Sequence, residues 1–157
     1  MKIVERVKNL LPIQLIRFVK RLPLQLQSKE KIFTNYYKKN KWGDATSRSG
    51  TGSSLNQTVT LREAIANILA EYQIKTFLDI PCGDFNWLQK VKLEADINYV
   101  GADIVQILVD KNNNLYSREN IHFVRLDITK DSIPLSDLVM VRAVSYTHLT
   151  LPTKRIV

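Results

Sequence analysis

Three observations predict an α/β fold built on a parallel sheet of about four strands. Short β-branched and aromatic runs end in acids at Asp79, Asp103 and Asp127, which recur every 24 residues. Segments of helical period separate these runs, the alternation that crossover connections between parallel strands require. The first run, Lys75 to Ile80, stops abruptly in Pro81-Cys82-Gly83-Asp84, a set of breakers that cannot continue a strand.

Composition bounds the rest. The chain has 157 residues, 45% hydrophobic and 24% charged, which suits one globular domain. Cys82 is the lone cysteine, so neither an intramolecular disulfide framework nor a structural zinc site is expected, and the cytoplasm is the default location. No apolar run approaches the ~18–20 residues of a membrane span, and no cleavable signal follows the first apolar segment. The net charge of +8 is local: residues 1–41 hold eleven Lys and Arg against two acids, Glu5 and Glu30.

Within that extension Ile3, Val7, Leu10 and Leu11, then Leu15, Ile16, Val19 and Leu22, fall at helical spacing, with Pro12 and Pro23 as punctuation. Two short basic amphipathic helices are predicted. They fit an accessory element packed on the sheet with a solvated basic face. They also fit peripheral contact with an anionic membrane surface, where apolar insertion and charge attraction add. Nucleic acid ranks below both, since aromatic residues are sparse among the charges before Tyr36 and Tyr37 and no reading motif is present. A third short helix is predicted over Ile32 to Lys41.

Trp42 to Gln57 is rich in Gly, Ser, Thr and Asn and reads as a loop. Ser49-Gly50-Thr51-Gly52-Ser53-Ser54 is either a linker or a set of hydroxyls and amides that meets the carboxylate of a ligand beside a helix start. A helix follows, with Thr60-Leu61-Arg62-Glu63 at capping-box spacing and a stripe of Leu61, Ile65, Ile68, Leu69 and Tyr72. Arg62 receives no role.

After the first strand, Gly83 lets backbone approach a ligand without a Cβ in the way, and Asp79 sets a carboxylate at the strand's C-terminal end. Trp87 to Val91 is predicted to begin a helix capped by Asp84 or Asn86, with Trp87 as a core or lid aromatic. The second strand is Asn98 to Asp103. An acid at the end of a neighbouring strand can accept hydrogen bonds from both hydroxyls of a ribose, and it can equally cap the next helix; the two roles coexist. Val105 to Leu115 reads as a helix with Ile107, Leu108 and Leu115 inward, broken by Asn112-Asn113-Asn114. Ile121 to Asp127 is a third strand, in which His122 has no chemical role, and Asp137 to Arg142 is a fourth, buried one.

Three segments together carry a family likeness: Trp42-Gly43, Ser47-Arg48-Ser49-Gly50-Thr51-Gly52-Ser53, and Pro81-Cys82-Gly83-Asp84-Phe85-Asn86-Trp87. They resemble the class I S-adenosylmethionine-dependent methyltransferases, most closely a bacterial subgroup with a Pro-Cys-Gly-Asp-Phe-x-Trp turn. The likeness spans residues 33–142. The chain departs from the common pattern at Pro81, where glycine is usual, at Asp84 and bulky Phe85 after Gly83, and at Ala143, where an acid usually follows the arginine.

The resemblance implies a Rossmann-like three-layer methyltransferase fold and S-adenosylmethionine as cofactor. It places Asp79, Pro81, Cys82, Gly83 and Asp84 at the cofactor turn and Asp103 on the ribose. Ile104, Asp127 and Ile128 would flank the adenine, and Ser49, Gly50 and Gly52 would close from the N-terminal side. The implied activity is methyl transfer to a small-molecule or glycan-type acceptor. No catalytic base is named: Asp84 is near enough to serve, but a turn or N-cap role suits it better. No metal is expected.

Two other functions are weighed. One is a non-enzymatic membrane-surface or polyanion-binding module carried by residues 1–41. The lesser one is an NAD(P)-dependent oxidoreductase, which wants Gly-x-Gly-x-x-Gly where only Gly83 stands. Residues 143–157 follow neither structural period and look like translated sequencing-adapter read-through. The expected organisation is therefore a basic helical extension at 1–41, a partial cofactor-binding domain at 42–142, and a non-native tail at 143–157, the parent chain running on past Arg142 with most of its acceptor site and further strands.

Overall fold

The computed structural model describes residues 28–42 and 47–142. The two N-terminal amphipathic helices and the tail at 143–157 lie outside the described residues. The elements in order are α1 (Lys29–Lys38), α2 (Val59–Glu71), β1 (Thr76–Asp79), β2 (Asn98–Asp103), α3 (Gln106–Tyr116), β3 (Ile121–Arg125) and β4 (Leu138–Met140). The four strands form one parallel sheet in the order β3-β2-β1-β4. This is an α/β fold, and all three strand–acid repeats lie side by side.

Register explains which face each residue takes. Phe77 pairs with Tyr99, and Tyr99 with Ile121, so these side chains share a face with Phe123, which pairs with Gly101. Ile65 and Leu69 of α2 and Val109 of α3 join that same cluster, so both helices cover one side of the sheet. Leu78, Ile80, Ala102 and Leu126 make a smaller cluster on the other side. Each large apolar side chain fully buried this way contributes roughly 1.5–3 kcal/mol.

Gly101 is needed where it stands. A Cβ there would lie 2.6 Å from Phe123 Cδ1 and 3.0 Å from the Tyr99 hydroxyl, so any side chain would push the two rings apart. Phe85 completes the aromatic cluster, with ring centroids 5.2 Å from Tyr99 and 5.1 Å from Phe123. It takes a left-handed backbone (φ 56°) to get there. That conformation costs about 1–2 kcal/mol for a side-chain-bearing residue, which the burial of a phenyl ring offsets.

Several local expectations yield to tertiary contacts. The helix predicted from Trp87 is only a 3₁₀ turn, Leu88–Lys90, because Trp87, Leu88 and Val91 are all drawn into the core. Asp84 does not cap it: its Oδ1 accepts from the Asn86 amide at 3.3 Å in a local turn. The start of α2 is set by Thr58 rather than by a Thr60–Glu63 box, and the buried Thr58 hydroxyl turns back to donate to the Ser54 carbonyl at 2.9 Å. Arg62 finds a role beside it, donating to the Leu55 carbonyl at 3.0 Å. Ile65 and Leu69 are buried as the stripe predicts, but Tyr72 is 66% exposed at the C-cap.

Helix α3 runs unbroken through its three asparagines. Two of these side chains bond outside the helix instead of competing with its backbone. Asn113 donates to the Phe123 carbonyl at 2.8 Å and accepts from the Phe123 amide at 3.1 Å, while Asn112 reaches the Gly83 carbonyl. The inward residues of this helix are Leu108 and Val109, whereas Ile107 and Leu115 face outward. Strand β4 is an outer strand of the four rather than a buried one, with Val139 42% exposed. Asp137 ties its start to β1, accepting from the Thr76 amide at 2.8 Å and the Thr76 hydroxyl at 2.9 Å. Among the described residues no helix is long and apolar enough to cross a membrane.

Candidate functional site

A cavity of about 260 Å³ opens at the C-terminal ends of β1 and β2, the end at which open α/β sheets receive ligands. Asp79, Pro81, Cys82 and Gly83 line it from the turn after β1. Asp103 and Ile104 line it from the end of β2, and Asp127 and Ile128 from beyond β3. Ser49 enters from the Ser/Gly loop. The residues predicted to hold a ligand therefore converge, except that Asp84, Gly50 and Gly52 stand behind the lining.

The turn is fastened from both flanks. The Cys82 amide donates to the Ala102 carbonyl at 2.8 Å, and the Gly83 amide donates to Asp103 Oδ2 at 3.2 Å. Asn112 Nδ2 donates to the Gly83 carbonyl at 2.8 Å from α3. Gly83 takes a left-handed backbone (φ 60°), and a Cβ on it would fall 2.4 Å from Ser49 Oγ. Only glycine meets both conditions. The Ile80–Pro81 peptide is cis.

Asp84 holds the Ser/Gly loop against this turn. Its carboxylate accepts from the Ser47 hydroxyl at 3.0 Å and from the Arg48 amide at 2.8 Å, while its own amide donates to Ser49 Oγ at 2.9 Å. Charged hydrogen bonds of this kind are about twice as strong as neutral ones. The Asp84 carboxylate is thus engaged by the loop, outside the cavity lining, which fits a structural clasp and not a base.

The three acids that line the cavity differ in environment. Asp79 is buried and accepts from the Tyr99 hydroxyl at 2.9 Å; burial pushes its pKa up to about 7, against the pull of that hydroxyl. Burial also raises Asp103, opposed by the amides of Val105 and Gly83. Asp103 Oδ1 accepts from the Val105 amide at 3.0 Å, so this acid does begin the next helix. With the Ile104 amide also bonding it, the carboxylate retains acceptor capacity for a ligand hydroxyl. For Asp127 burial is outweighed by the Thr129 hydroxyl and amide and by Lys29 and Lys130, and its pKa is lowered. Burial drives the Cys82 thiol well above its usual range, so it is an inert lining group.

Sequence reasoning missed the roof and one wall. Lys29, Phe33 and Tyr37 of α1 line the cavity together with Trp42, and Lys29 Nζ donates to Thr129 Oγ1 at 3.1 Å. Thr129, Ser53 and Arg142 add polar groups to the lining, and the buried Trp87 adds an aromatic one. The signal for α1 was available in Ser28, whose side chain caps the helix, and in Phe33 and Tyr37 four residues apart on one face. Arg142 stands out in the sequence only through the family likeness, as the arginine before Ala143, and has no ligand role there. Among the described residues no cluster of His, Cys, Asp and Glu is fit to hold a metal ion. Comparison with protein-family models, with curated proteins and with solved structures finds no match to this chain.

Proposed function

We propose that this chain binds S-adenosylmethionine in the cavity at the strand ends and that its activity is methyl transfer to a small-molecule or glycan-type acceptor. The observation that carries the reading is the convergence of Asp79, Asp103 and Asp127 with the Gly83 turn on one cavity. In this reading the sheet is that of a Rossmann-like, three-layer methyltransferase fold. The donor set fits the cofactor. Asp103 offers acceptors to the ribose hydroxyls, Ile104 and Ile128 offer apolar surface to a flat base, and Asp127 offers an acceptor to an exocyclic amino group.

The cofactor when bound supplies an electrophilic methyl group on a sulfonium. The chain's own residues orient it and keep water from its buried end. Phe33, Tyr37, Trp42 and Trp87 all line the site, so an adenosine-sized ligand would meet aromatic as well as aliphatic surface. None of the described residues is assigned as the acceptor's base.

Calorimetric titration of the chain with S-adenosylmethionine tests the proposal. Saturable binding is expected, with affinity reduced at least about 10-fold in Asp103→Ala, the loss of charged hydrogen bonds to two hydroxyls. Indistinguishable titrations for the two proteins would sink it. Competition by a nicotinamide dinucleotide instead would favour an oxidoreductase.

A further inference from the structure

Among the described residues lining the cavity, Lys29 and Arg142 carry positive charge. They serve different ends. Lys29 bonds Thr129 and acts on Asp127, at the β3 side. Arg142 follows β4, and its charge acts on Asp79 at the β1 side.

Arg142 is held in place without being neutralised. Its guanidinium lies 5.3 Å from the centroid of the Trp87 ring, and Nη2 donates to the Gly52 carbonyl. Trp87 is itself buried. Among the described residues Arg142 makes no ion pair, and the Gly52 carbonyl is its one hydrogen-bond partner. A guanidinium has five donors in a rigid fork suited to two carboxylate oxygens. Placed over the indole and bonded through one nitrogen to Gly52, the Arg142 guanidinium keeps further donors uncommitted among the described residues.

We propose that Arg142 is the carboxylate-binding residue of this cavity, holding the amino-acid end of a nucleoside–amino acid ligand whose ribose lies at Asp103. The proposal rests on the cofactor reading above and adds to it the residue that selects the amino-acid tail. It also gives the Ser/Gly loop a second task. The Gly52 carbonyl takes one arm of Arg142, so the loop orients the fork instead of meeting the carboxylate with its own hydroxyls.

The test uses two ligands that share a nucleoside. S-adenosylhomocysteine carries the amino-acid tail, and 5′-methylthioadenosine lacks it. Calorimetry on the full chain is expected to show tighter binding of S-adenosylhomocysteine. Arg142→Met should weaken that ligand about 10- to 100-fold, the range for a charged hydrogen-bonded pair, and leave 5′-methylthioadenosine unchanged, which also reports that the variant is folded. Arg142→Lys, which keeps the charge, should retain part of the preference. Equal losses for both ligands, or no loss for either, would overturn the assignment of Arg142 alone. Failure of both ligands to bind the unaltered chain would overturn the cofactor reading and this assignment with it.

Discussion

The Tyr99 hydroxyl crosses from β2 to donate to Asp79 Oδ2 at 2.9 Å, and both side chains are buried, at 0% and 2% exposure. The bond joins the aromatic core to the carboxylate that forms the floor of the cavity. Gly101 leaves room for it, since a Cβ there would come to 3.0 Å from the same hydroxyl. Removing the hydroxyl leaves a buried carboxylate short of a partner. Tyr99→Phe is expected to cost about 1–3 kcal/mol in urea unfolding. The loss should be greater at pH 8, where Asp79 is ionised, than at pH 5.

The raised pKa of Asp79 makes a signed prediction about stability. Burial is the main cause, opposed by the Tyr99 hydroxyl, reinforced by Asp103 and opposed again by Arg142. An acid raised from 3.8 to about 7 binds more protons folded than unfolded between those values. Its contribution to stability is therefore full below the lower value and is lost as pH rises through about 7. Asp103 is raised as well and acts in the same sense. Thermal unfolding across this window should show a falling midpoint, and Asp79→Asn should flatten the fall. An unchanged slope in the variant would show that Asp79 titrates normally.

The clasp at Asp84 separates two roles that sequence left open. As a fastener of Ser47 and Arg48, Asp84 should protect the amides of residues 47–53 from hydrogen exchange. Asp84→Ala is expected to lose that protection and about 1–3 kcal/mol, with ligand affinity falling because the Ser49 wall loosens. A variant with intact protection and intact affinity, defective only in turnover, would restore the catalytic-base reading.

Gly83→Ala meets two separate penalties, a left-handed backbone and a Cβ 2.4 Å from Ser49 Oγ. The backbone term alone is about 1–2 kcal/mol. Adding Ser49→Gly removes the collision and leaves the backbone term, so the double variant should recover part of the lost melting temperature. Recovery of all of it would place the whole cost in the collision.

Asn112→Ala should destabilise the turn from behind. The Gly83 carbonyl loses its donor at 2.8 Å and keeps only the weak Cys82 thiol at 3.5 Å, a loss of about 1 kcal/mol. Equilibrium unfolding measures the loss, and an Asn112→Ala variant as stable as the parent would show that water replaces the amide.

The amino-acid sequence by itself determined the alternation of strands and helices, the acids at the strand ends and the turn at Pro81 to Asp84. These are local signals: period, breaker chemistry and spacing act over a few residues, and β2 formed over the very residues that its pattern marks. Tertiary structure alone decided what each side chain does with its second option. The Asn112 run was read as a helix break because its competition with the backbone is local, whereas the partner that removes this competition is Gly83, distant in sequence. Phe85 looked like an intrusion into a glycine-rich turn, yet it leaves the cavity for the aromatic core. Arg142 and α1 reached the cavity through strand order and packing, which bring together residues separated by most of the chain. A sequence window carries no information about such pairs, because the energy that selects them arises only once the sheet has closed and its core is dry.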